Sequence, residues 1–294
     1  MGLYSFLFLI VPAICWYLFV ITWTLEHFKI TTFGHPKEWL GLPAWFKFSF
    51  SKFVTFFQPN EVIWAGRKPQ KNEKVIFVVN HQLSGLDIPI AIASIYLQTG
   101  IWPRGLQDRI HYKIPVFKHL TWILGAFVGD RQTCQQAMDL SYPLLVYPGG
   151  ADEIWRSSKI PRYTLQWKEK KGFARMALQN GYTLFPVSLI GMDDMLSIVF
   201  ELPGKLLMKI MGDKRSNRQE FYLPFFLPNF KFQKQYIRFG NPVVTEELKE
   251  NVDEDNITKV RDQVRDEMLQ GLDELKKIQA QDEKRYLSLK SFFE

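Results

Sequence analysis

Residues 74–87 read KVIFVVNHQLSGLD, and this stretch decides how the rest of the chain is interpreted. The run 74–79 is short, apolar and rich in β-branched residues, which is typical of a buried strand in a parallel sheet. His81 follows the strand, and Asp87 lies six positions later. Within one helix an offset of six would place two side chains about 240° apart, so they could not meet. We therefore expect His81 on the loop that leaves the strand and Asp87 at the start of the next helix.

Strand-like and helix-like segments alternate on the C-terminal side of this stretch. Strand patterns recur at 126–128, 144–147, 184–188 and 235–239, and helical patterns lie at 88–97, 112–123, 133–140 and 167–180. This alternation predicts an α/β fold with a mixed, largely parallel sheet flanked by helices. Apolar residues at helical spacing predict one long amphipathic helix near the end, through Ile257, Val260, Val264, Met268, Leu272 and Leu275.

The first residues of the chain have the composition of a membrane anchor. Residues 1–25 carry no charged side chain, and about 20 apolar residues are enough to cross a bilayer core. A cleaved signal peptide would need a basic leading region and a small-residue cleavage site, and neither is seen. Lysines follow the segment, which predicts a single-pass anchor with the body of the protein facing the cytosol.

The sequence predicts four parts: an anchor at 1–28, an aromatic-rich interfacial membrane segment at 29–66, the main α/β domain at 67–244, and an amphipathic helix packing on that domain at 245–294. Within the second part, 42–57 combines aromatic residues with two lysines, which favours a helix lying on the bilayer surface. A phenylalanine-rich core helix and a short membrane hairpin arm remain alternatives.

Composition limits the partners that the protein can have. The hydrophobic share is 47% and the chain holds 25 phenylalanines, more than a core requires. Residues 245–294 carry 9 basic and 14 acidic side chains, so the rest has a net charge of +12, which suits an anionic membrane or a phosphorylated ligand. The sequence has no zinc-ligand spacing and no basic repeat that would indicate nucleic-acid binding.

The chain has two cysteines, Cys15 and Cys134. We therefore expect no disulfide framework and no metal site.

The pair His81 and Asp87 is the first candidate for chemistry. A carboxylate that meets imidazole Nδ1 fixes the tautomer and leaves Nε2 free to accept a proton from an alcohol. On its own the spacing is also compatible with a helix cap at Asp87 and an ordinary loop histidine.

Three further segments contain residues that suit an anionic ligand. Arg131 follows a strand, and its guanidinium matches phosphate or carboxylate. Pro148, Gly149 and Gly150 form a turn whose amides could approach an oxyanion, and Glu153, which follows the turn, is a further candidate for contact with the substrate. Lys170 and Lys171 precede a helix and could attract phosphates. Each segment alone has an ordinary explanation: a surface ion pair, a simple turn or a solvated charged face.

In this order and spacing, the segments, together with Leu184-Phe185-Pro186-Val187, resemble the glycerolipid acyltransferase superfamily, which includes the lysophosphatidic acid acyltransferases. The resemblance covers 75–242. It implies that His81 and Asp87 form a catalytic dyad, that 67–244 is an acyltransferase domain, and that acyl-CoA is the co-substrate, with no cofactor and no metal. The partners it implies are a lipid bilayer, acyl-CoA and a glycerolipid acceptor, and no nucleic acid.

Two departures from the usual superfamily pattern point to one branch. Five residues, rather than four, separate His81 from Asp87, and a Pro-Gly-Gly turn replaces Pro-Glu-Gly. Both features look like the diacylglycerol acyltransferase branch, and the run Ile237-Arg238-Phe239-Gly240-Asn241-Pro242 is most similar to transmembrane protein 68-like acyltransferases. This resemblance implies neutral-lipid synthesis at the endoplasmic reticulum membrane.

The charge of Asp152 supports a neutral acceptor, because it stands where phosphate-using relatives have an arginine and would repel a phosphate. The alternatives are a lysophosphatidic acid acyltransferase, a non-catalytic lipid-binding protein on the same fold, and a hydrolase that uses His81 to activate water. No Gly-x-Ser-x-Gly motif indicates a serine hydrolase.

Overall fold

The computed structural model describes residues 35–39, 41–113, 115–203, 222–228, 233–249 and 252–287. The anchor predicted at 1–28 lies outside these residues. Among the helices that are described, none is both long enough and apolar enough to cross a bilayer.

The described helices and strands alternate through most of the chain, as the sequence pattern predicts. In chain order they are α1 Ala44–Phe57, β1 Asn60–Trp64, β2 Val75–Val79, α2 Asp87–Thr99, β3 Arg104–Gln107, α3 Pro115–Ile123, β4 Phe127–Val128, α4 Arg131–Asp139, β5 Leu144–Val146, α5 Ala151–Ile154, α6 Gly172–Asn180, β6 Thr183–Ile190, β7 Leu196–Pro203, β8 Tyr222–Pro228, β9 Gln235–Phe239 and α7 Glu254–Gln281. Short 3₁₀ turns at Leu83–Gly85 and Met192–Met195 flank the site described below.

The chain divides into two compact units. Among the described residues, the smaller unit comprises those up to Phe46 together with those of 103–145, and the larger one comprises Lys47–Trp102 together with those from Val146 onward. The predicted domain boundaries at 28, 66 and 244 stay predictions.

The larger unit is built on four strands in the order β1-β9-β6-β2. β1 runs parallel to β9 and β2 runs parallel to β6, whereas β6 and β9 are antiparallel. Every residue of β2 and β6 is buried, which explains their continuous apolar sequences. The carboxyl end of β2 is where the His81 loop begins.

Helix α7 covers one face of this sheet. All six apolar residues on which its prediction rested are buried. Met268 accepts a hydrogen bond at its carbonyl from the Ser188 hydroxyl of β6, at 2.9 Å. Arg238 of β9, which is buried, donates to Glu267 at 2.8 Å and to Glu274 at 2.6 Å, so two ion pairs join helix and sheet.

The smaller unit contains a second group of parallel strands in the order β5-β3-β4. Arg104 of β3 is buried without a carboxylate partner among the described residues. Its guanidinium donates to the carbonyl oxygens of Pro36 and Gly125 and lies within 4.6–5.1 Å of the ring centroids of Trp39, Phe127 and Tyr142. Cation–π contacts and carbonyl acceptors therefore replace a counter-ion here.

The observed topology confirms the predicted α/β class with a largely parallel sheet, in both units. Segment 42–57 contributes helix α1, whose aromatic side chains are unusually exposed: Trp45 is 69% and Phe48 53% accessible. Its predicted place on a membrane surface stays a prediction. β7 and β8 pair as a separate two-stranded antiparallel sheet.

Candidate active site

The structure brings His81 and Asp87 together, as the spacing predicts. His81 lies two residues after the end of β2, and Asp87 is the first residue of α2. The distance from His81 Nδ1 is 3.0 Å to Asp87 Oδ2 and 3.3 Å to Oδ1. Both side chains are buried, and His81 keeps 8% of its surface accessible.

This contact determines the form of the imidazole. An ionised carboxylate only accepts hydrogen bonds, so the proton of neutral His81 resides on Nδ1 and Nε2 keeps its lone pair. Nε2 makes no hydrogen bond to any residue that the structure describes. Asp87 also lies in the first turn of α2, where the helix dipole favours a negative charge. The pair can therefore act as a general base.

The aromatic ring of Tyr147 lies flat against the histidine. The two ring centroids are 3.7 Å apart with an interplanar angle of 11°, so the imidazole cannot rotate freely. Burial, followed by the negative charge of Asp87, raises the pKa of Tyr147 well above its usual value. The phenol therefore stays protonated beside the carboxylate.

Glu153 of α5 holds the backbone of the same loop. Its Oε2 accepts the His81 backbone N–H at 2.7 Å, and its Oε1 accepts the Gln166 backbone N–H at 3.0 Å. Only 1% of Glu153 is exposed, and burial raises the pKa of this carboxyl to about 7. A Cβ at Gly149 would lie 1.9 Å from the Glu153 carboxyl carbon, so this arrangement requires a glycine at position 149.

Four further hydrogen bonds tie the loop to the end of β6 and the turn after it. The Asn80 side chain donates to the Leu189 carbonyl at 2.9 Å and accepts the Leu189 N–H at 2.8 Å. Asp193 Oδ1 accepts the Leu83 N–H at 2.7 Å, and the Asp193 N–H donates to the Gln82 side chain at 3.1 Å. Consecutive residues 80–83 thus each have a fixed polar partner.

Asp193 is itself held by a buried counter-ion. Its carboxylate forms an ion pair with Arg156, and both side chains are almost fully buried. Burial raises the pKa of Asp193, while the positive charge of Arg156 acts in the opposite direction. The Arg156 charge thus keeps an acceptor available for the Leu83 amide.

One amide of the turn 148–150 is not available to an oxyanion, contrary to the expectation from the sequence. The Gly150 N–H donates to the Tyr147 carbonyl at 3.1 Å and is therefore engaged within the turn. Gly150 has a φ of +54°, which suits glycine. The amides of Gly149 and Ala151 are the ones in this turn that remain as candidate oxyanion donors. Pro148 precedes them and is partly exposed.

The predicted anion-binding side chains have different surroundings within their own units. Lys170 lies beside the turn, where its ammonium donates to the Gly149 carbonyl at 2.6 Å and to Asp152 at 2.8 Å. Lys171 instead pairs with Glu254 at 2.8 Å. Arg131 is exposed at the first residue of α4, in the smaller unit.

The geometry changes what was expected of two acidic residues, Asp152 and Glu153. Asp152 is neutralised by Lys170, so its charge no longer argues strongly against a phosphorylated ligand. Both oxygens of Glu153 are occupied by backbone amides, which favours a positioning role over the predicted direct contact with substrate.

Sequence reasoning did not single out Tyr147, Arg156 or Asp193 as parts of the site. Tyr147 was visible as the residue between a buried strand and the Pro-Gly-Gly turn. Asp193 was signalled only by acidic residues directly after the fully buried strand β6. The ion pair of Arg156 with Asp193 could not be inferred from the sequence, because the two residues are 37 positions apart.

Comparisons with known proteins agree with the geometry. Residues 62–190 match the family model named Acyltransferase. The chain is 25% identical over 196 residues to phytyl ester synthase 1 of Arabidopsis thaliana, covering 58% of this chain and 28% of that protein. It is 26% identical over 139 residues to the DGAT1/2-independent enzyme synthesizing storage lipids of Mus musculus, covering 46% of this chain and 42% of that protein. The matches thus span less than half the length of these relatives.

Among solved structures, the chain is similar to the 1-acyl-sn-glycerophosphate acyltransferase PlsC of Thermotoga maritima, with a TM-score of 0.49, 18% identity and 79% coverage of both chains. The family match contains the His81 loop, the turn at 148–150 and strand β6. The resemblance inferred from the sequence motifs is therefore confirmed: residues 62–190 match the model of an acyltransferase domain.

Proposed function

We propose that this protein is an O-acyltransferase that moves a fatty acyl group from acyl-CoA to the hydroxyl of a glycerolipid, with a neutral acceptor preferred. The observation that carries the proposal is the contact between His81 Nδ1 and the Asp87 carboxylate, which leaves Nε2 as the free base. The family match and the lipid-forming relatives support this choice of reaction.

In the proposed reaction, His81 Nε2 takes the proton of the acceptor hydroxyl as its oxygen attacks the thioester carbonyl carbon. The new C–O bond forms, and negative charge develops on the carbonyl oxygen. The Gly149 and Ala151 amides are our candidates for stabilising that charge. When the C–S bond breaks, the imidazolium returns its proton to the leaving thiolate, so the products are an ester and a free thiol.

Asp87 and Tyr147 support the base without entering the bonds that change. Asp87 stabilises the imidazolium that forms during the transfer, because a negative charge lies 3.0 Å from Nδ1. Tyr147 keeps the ring plane fixed by stacking. No covalent acyl-enzyme is needed in this scheme.

The preference for a neutral acceptor rests on the relatives and only weakly on charge. One relative is named for phytyl esters and the other for storage lipids. The repulsion expected from Asp152 is offset by Lys170, so we expect a preference rather than an exclusion of phosphorylated acceptors. Lys170, Lys171 and Arg131 stay candidates for the phosphates of CoA.

The test uses full-length protein in phospholipid vesicles with labelled acyl-CoA. Diacylglycerol, monoacylglycerol and lysophosphatidic acid are offered at equal surface concentration. We expect acceptor-dependent ester formation, fastest with the neutral lipids. Release of free fatty acid at the same rate without any acceptor would indicate a hydrolase instead, and binding of lipid without turnover would indicate a non-catalytic protein.

The matched variant is His81→Ala, with its melting temperature measured in parallel. General bases contribute about 100- to 10,000-fold to rate, so the transfer should fall to near background while the fold is kept. Turnover within about threefold of the parent protein would exclude His81 as the base.

A further inference from the structure

Glu153 is a buried carboxylate whose two oxygens both bind main-chain amides. One belongs to His81, at 2.7 Å, and the other to Gln166, at 3.0 Å. Within the described part of the chain, it has no Lys or Arg partner. It therefore differs from Asp193, whose charge is compensated by Arg156.

The contact with His81 acts on the residue that carries the reactive nitrogen. Asn80, Gln82 and Leu83 are fixed by other partners, so Glu153 is the acceptor that fixes the peptide plane of His81 itself. The direction of the Cα–Cβ bond is determined by this peptide plane together with the next one, and Glu153 fixes the first of the two. Tyr147 and Asp87 then determine the rotation of the ring. Glu153 thus holds the backbone of His81, and Tyr147 and Asp87 hold its ring.

An ionisable group is a costly way to fill this position. A buried carboxylate that lacks a counter-ion loses its hydration without gaining an ion pair in return. In its ionised form, above its pKa of about 7, the carboxylate offers two acceptors without a donor, which matches two inward-pointing N–H groups. An amide side chain supplies one acceptor oxygen only, so one of these N–H groups would be left unpaired.

We propose that Glu153 is a positioning residue that holds the His81 loop in its reactive geometry through the His81 backbone amide. The inference rests on the proposed acyl transfer for its kinetic consequence, but its structural consequence can be measured without any substrate. It assigns to Glu153 an effect on the rate of the chemical step and no effect on substrate affinity.

The test compares Glu153→Gln with Glu267→Gln in the full-length protein. Glu267 is a suitable control because its carboxylate also accepts a backbone N–H, from Asn241 at 3.1 Å, but on α7. We expect Glu153→Gln to lower kcat about 10- to 100-fold with KM unchanged within about twofold, as for a misplaced catalytic group. Glu267→Gln should lower the melting temperature but leave kcat near the parent value.

Hydrogen exchange gives the second readout. The amide of His81 and the peptide that contains it should exchange at least tenfold faster in Glu153→Gln than in the parent, and not in Glu267→Gln. Unchanged exchange in that peptide would overturn the proposal whether or not the protein transfers acyl groups. If the parent protein shows no transfer but exchange still rises, the function fails and the positioning role stands. Normal kcat in Glu153→Gln beside an active parent would overturn the catalytic consequence.

Discussion

At the level of single residues, Asp87 determines which nitrogen of His81 carries the proton. Asp87→Asn keeps the size of the side chain but removes the charge that stabilises the imidazolium, and its amide can also favour the wrong tautomer. We expect the transfer rate to fall about 100- to 10,000-fold. The measurement is kcat of the purified variant, with the exposed Asp139→Asn as the control. Equal rates for the two variants would contradict the role given to Asp87.

Glu153 should also leave a signature in the pH dependence of stability. Its pKa is raised from 4.5 to about 7 in the folded protein, mainly by burial, with Asp87 acting in the same direction and His81 against it. Between these values the folded state keeps a proton that the unfolded chain releases, so the free energy of unfolding falls as the pH rises. Glu153→Gln lacks this titration.

The stability of Glu153→Gln relative to the parent should therefore increase from pH 4.5 to 7, by up to about 3 kcal/mol. Urea unfolding of both proteins at several pH values across this window measures the difference. All other ionisable groups are common to both proteins, so their contributions to the difference largely cancel. A difference that stays constant with pH would mean that Glu153 titrates normally.

The sequence predicted those parts of the site that depend on local spacing. The separation of His81 from Asp87 was enough to place one on a loop and the other at a helix start. The contact of Glu153 with the His81 amide was not predictable, because the two residues are 72 positions apart and every residue except proline offers the same backbone N–H. Asp152 was misjudged because the sequence does not show that Lys170 pairs with it.

At the level of elements, the packing of α7 against β6 depends on Gly271. A Cβ at this position would lie 2.5 Å from the Ser188 hydroxyl oxygen and 3.2 Å from Arg238 Cδ. We expect Gly271→Ala to destabilise the protein by about 1–3 kcal/mol through overpacking, which exceeds the gain of about 1 kcal/mol in helix propensity.

Thermal unfolding of Gly271→Ala, with Gly172→Ala as control, tests this packing. Gly172 begins α6, and no atom lies within 4 Å of its added Cβ. The second change Ser188→Gly should restore part of the lost stability. If Gly271→Ala and Gly172→Ala shift the melting temperature equally, α7 does not pack as closely against β6 as described.

Most elements with a continuous apolar or strictly periodic pattern were predicted, whereas β1, β3, β7 and β8 were not. β2, β6, β9 and α7 follow their patterns closely. β3 was missed because it contains Arg104 and a glycine, and a buried arginine contradicts the usual surface preference. β1 was included in the interfacial segment 29–66, since its pairing with β9 is a long-range event. The placing of β9 between β1 and β6 depends on such contacts and not on any local pattern.

At the level of the whole molecule, exposed aromatic side chains on α1 are the main described feature that suits a membrane surface. Phe48, Phe53 and Phe56 are 53%, 42% and 48% exposed, with Lys47 and Lys52 between and beside them. After removal of residues 1–28, we expect the remaining protein still to bind anionic vesicles. Replacing the three phenylalanines by serine should weaken this binding at least tenfold, because each buried ring contributes about 1.5–3 kcal/mol.

Vesicle co-sedimentation measures the binding, and Leu140→Ser serves as the control for loss of one exposed apolar side chain elsewhere. Replacing Lys47 and Lys52 by glutamine should weaken binding to anionic vesicles and leave binding to neutral vesicles unchanged. Equal sedimentation of the triple serine variant and its parent would show that α1 does not contact lipid.

Because Gly149 lies so close to Glu153, substitutions at these two positions are expected to be coupled during evolution. A side chain larger than hydrogen at position 149 would enter the space of the Glu153 carboxylate, and the carboxylate would have to leave its two amides. Mutational drift can therefore change position 149 freely only after position 153 has become small. If both codons are randomised and active clones are selected, glycine and glutamate should be recovered together. The pair Gly-x-x-x-Glu is thus a better marker for this kind of site in other genomes than the Pro-Gly-Gly turn alone.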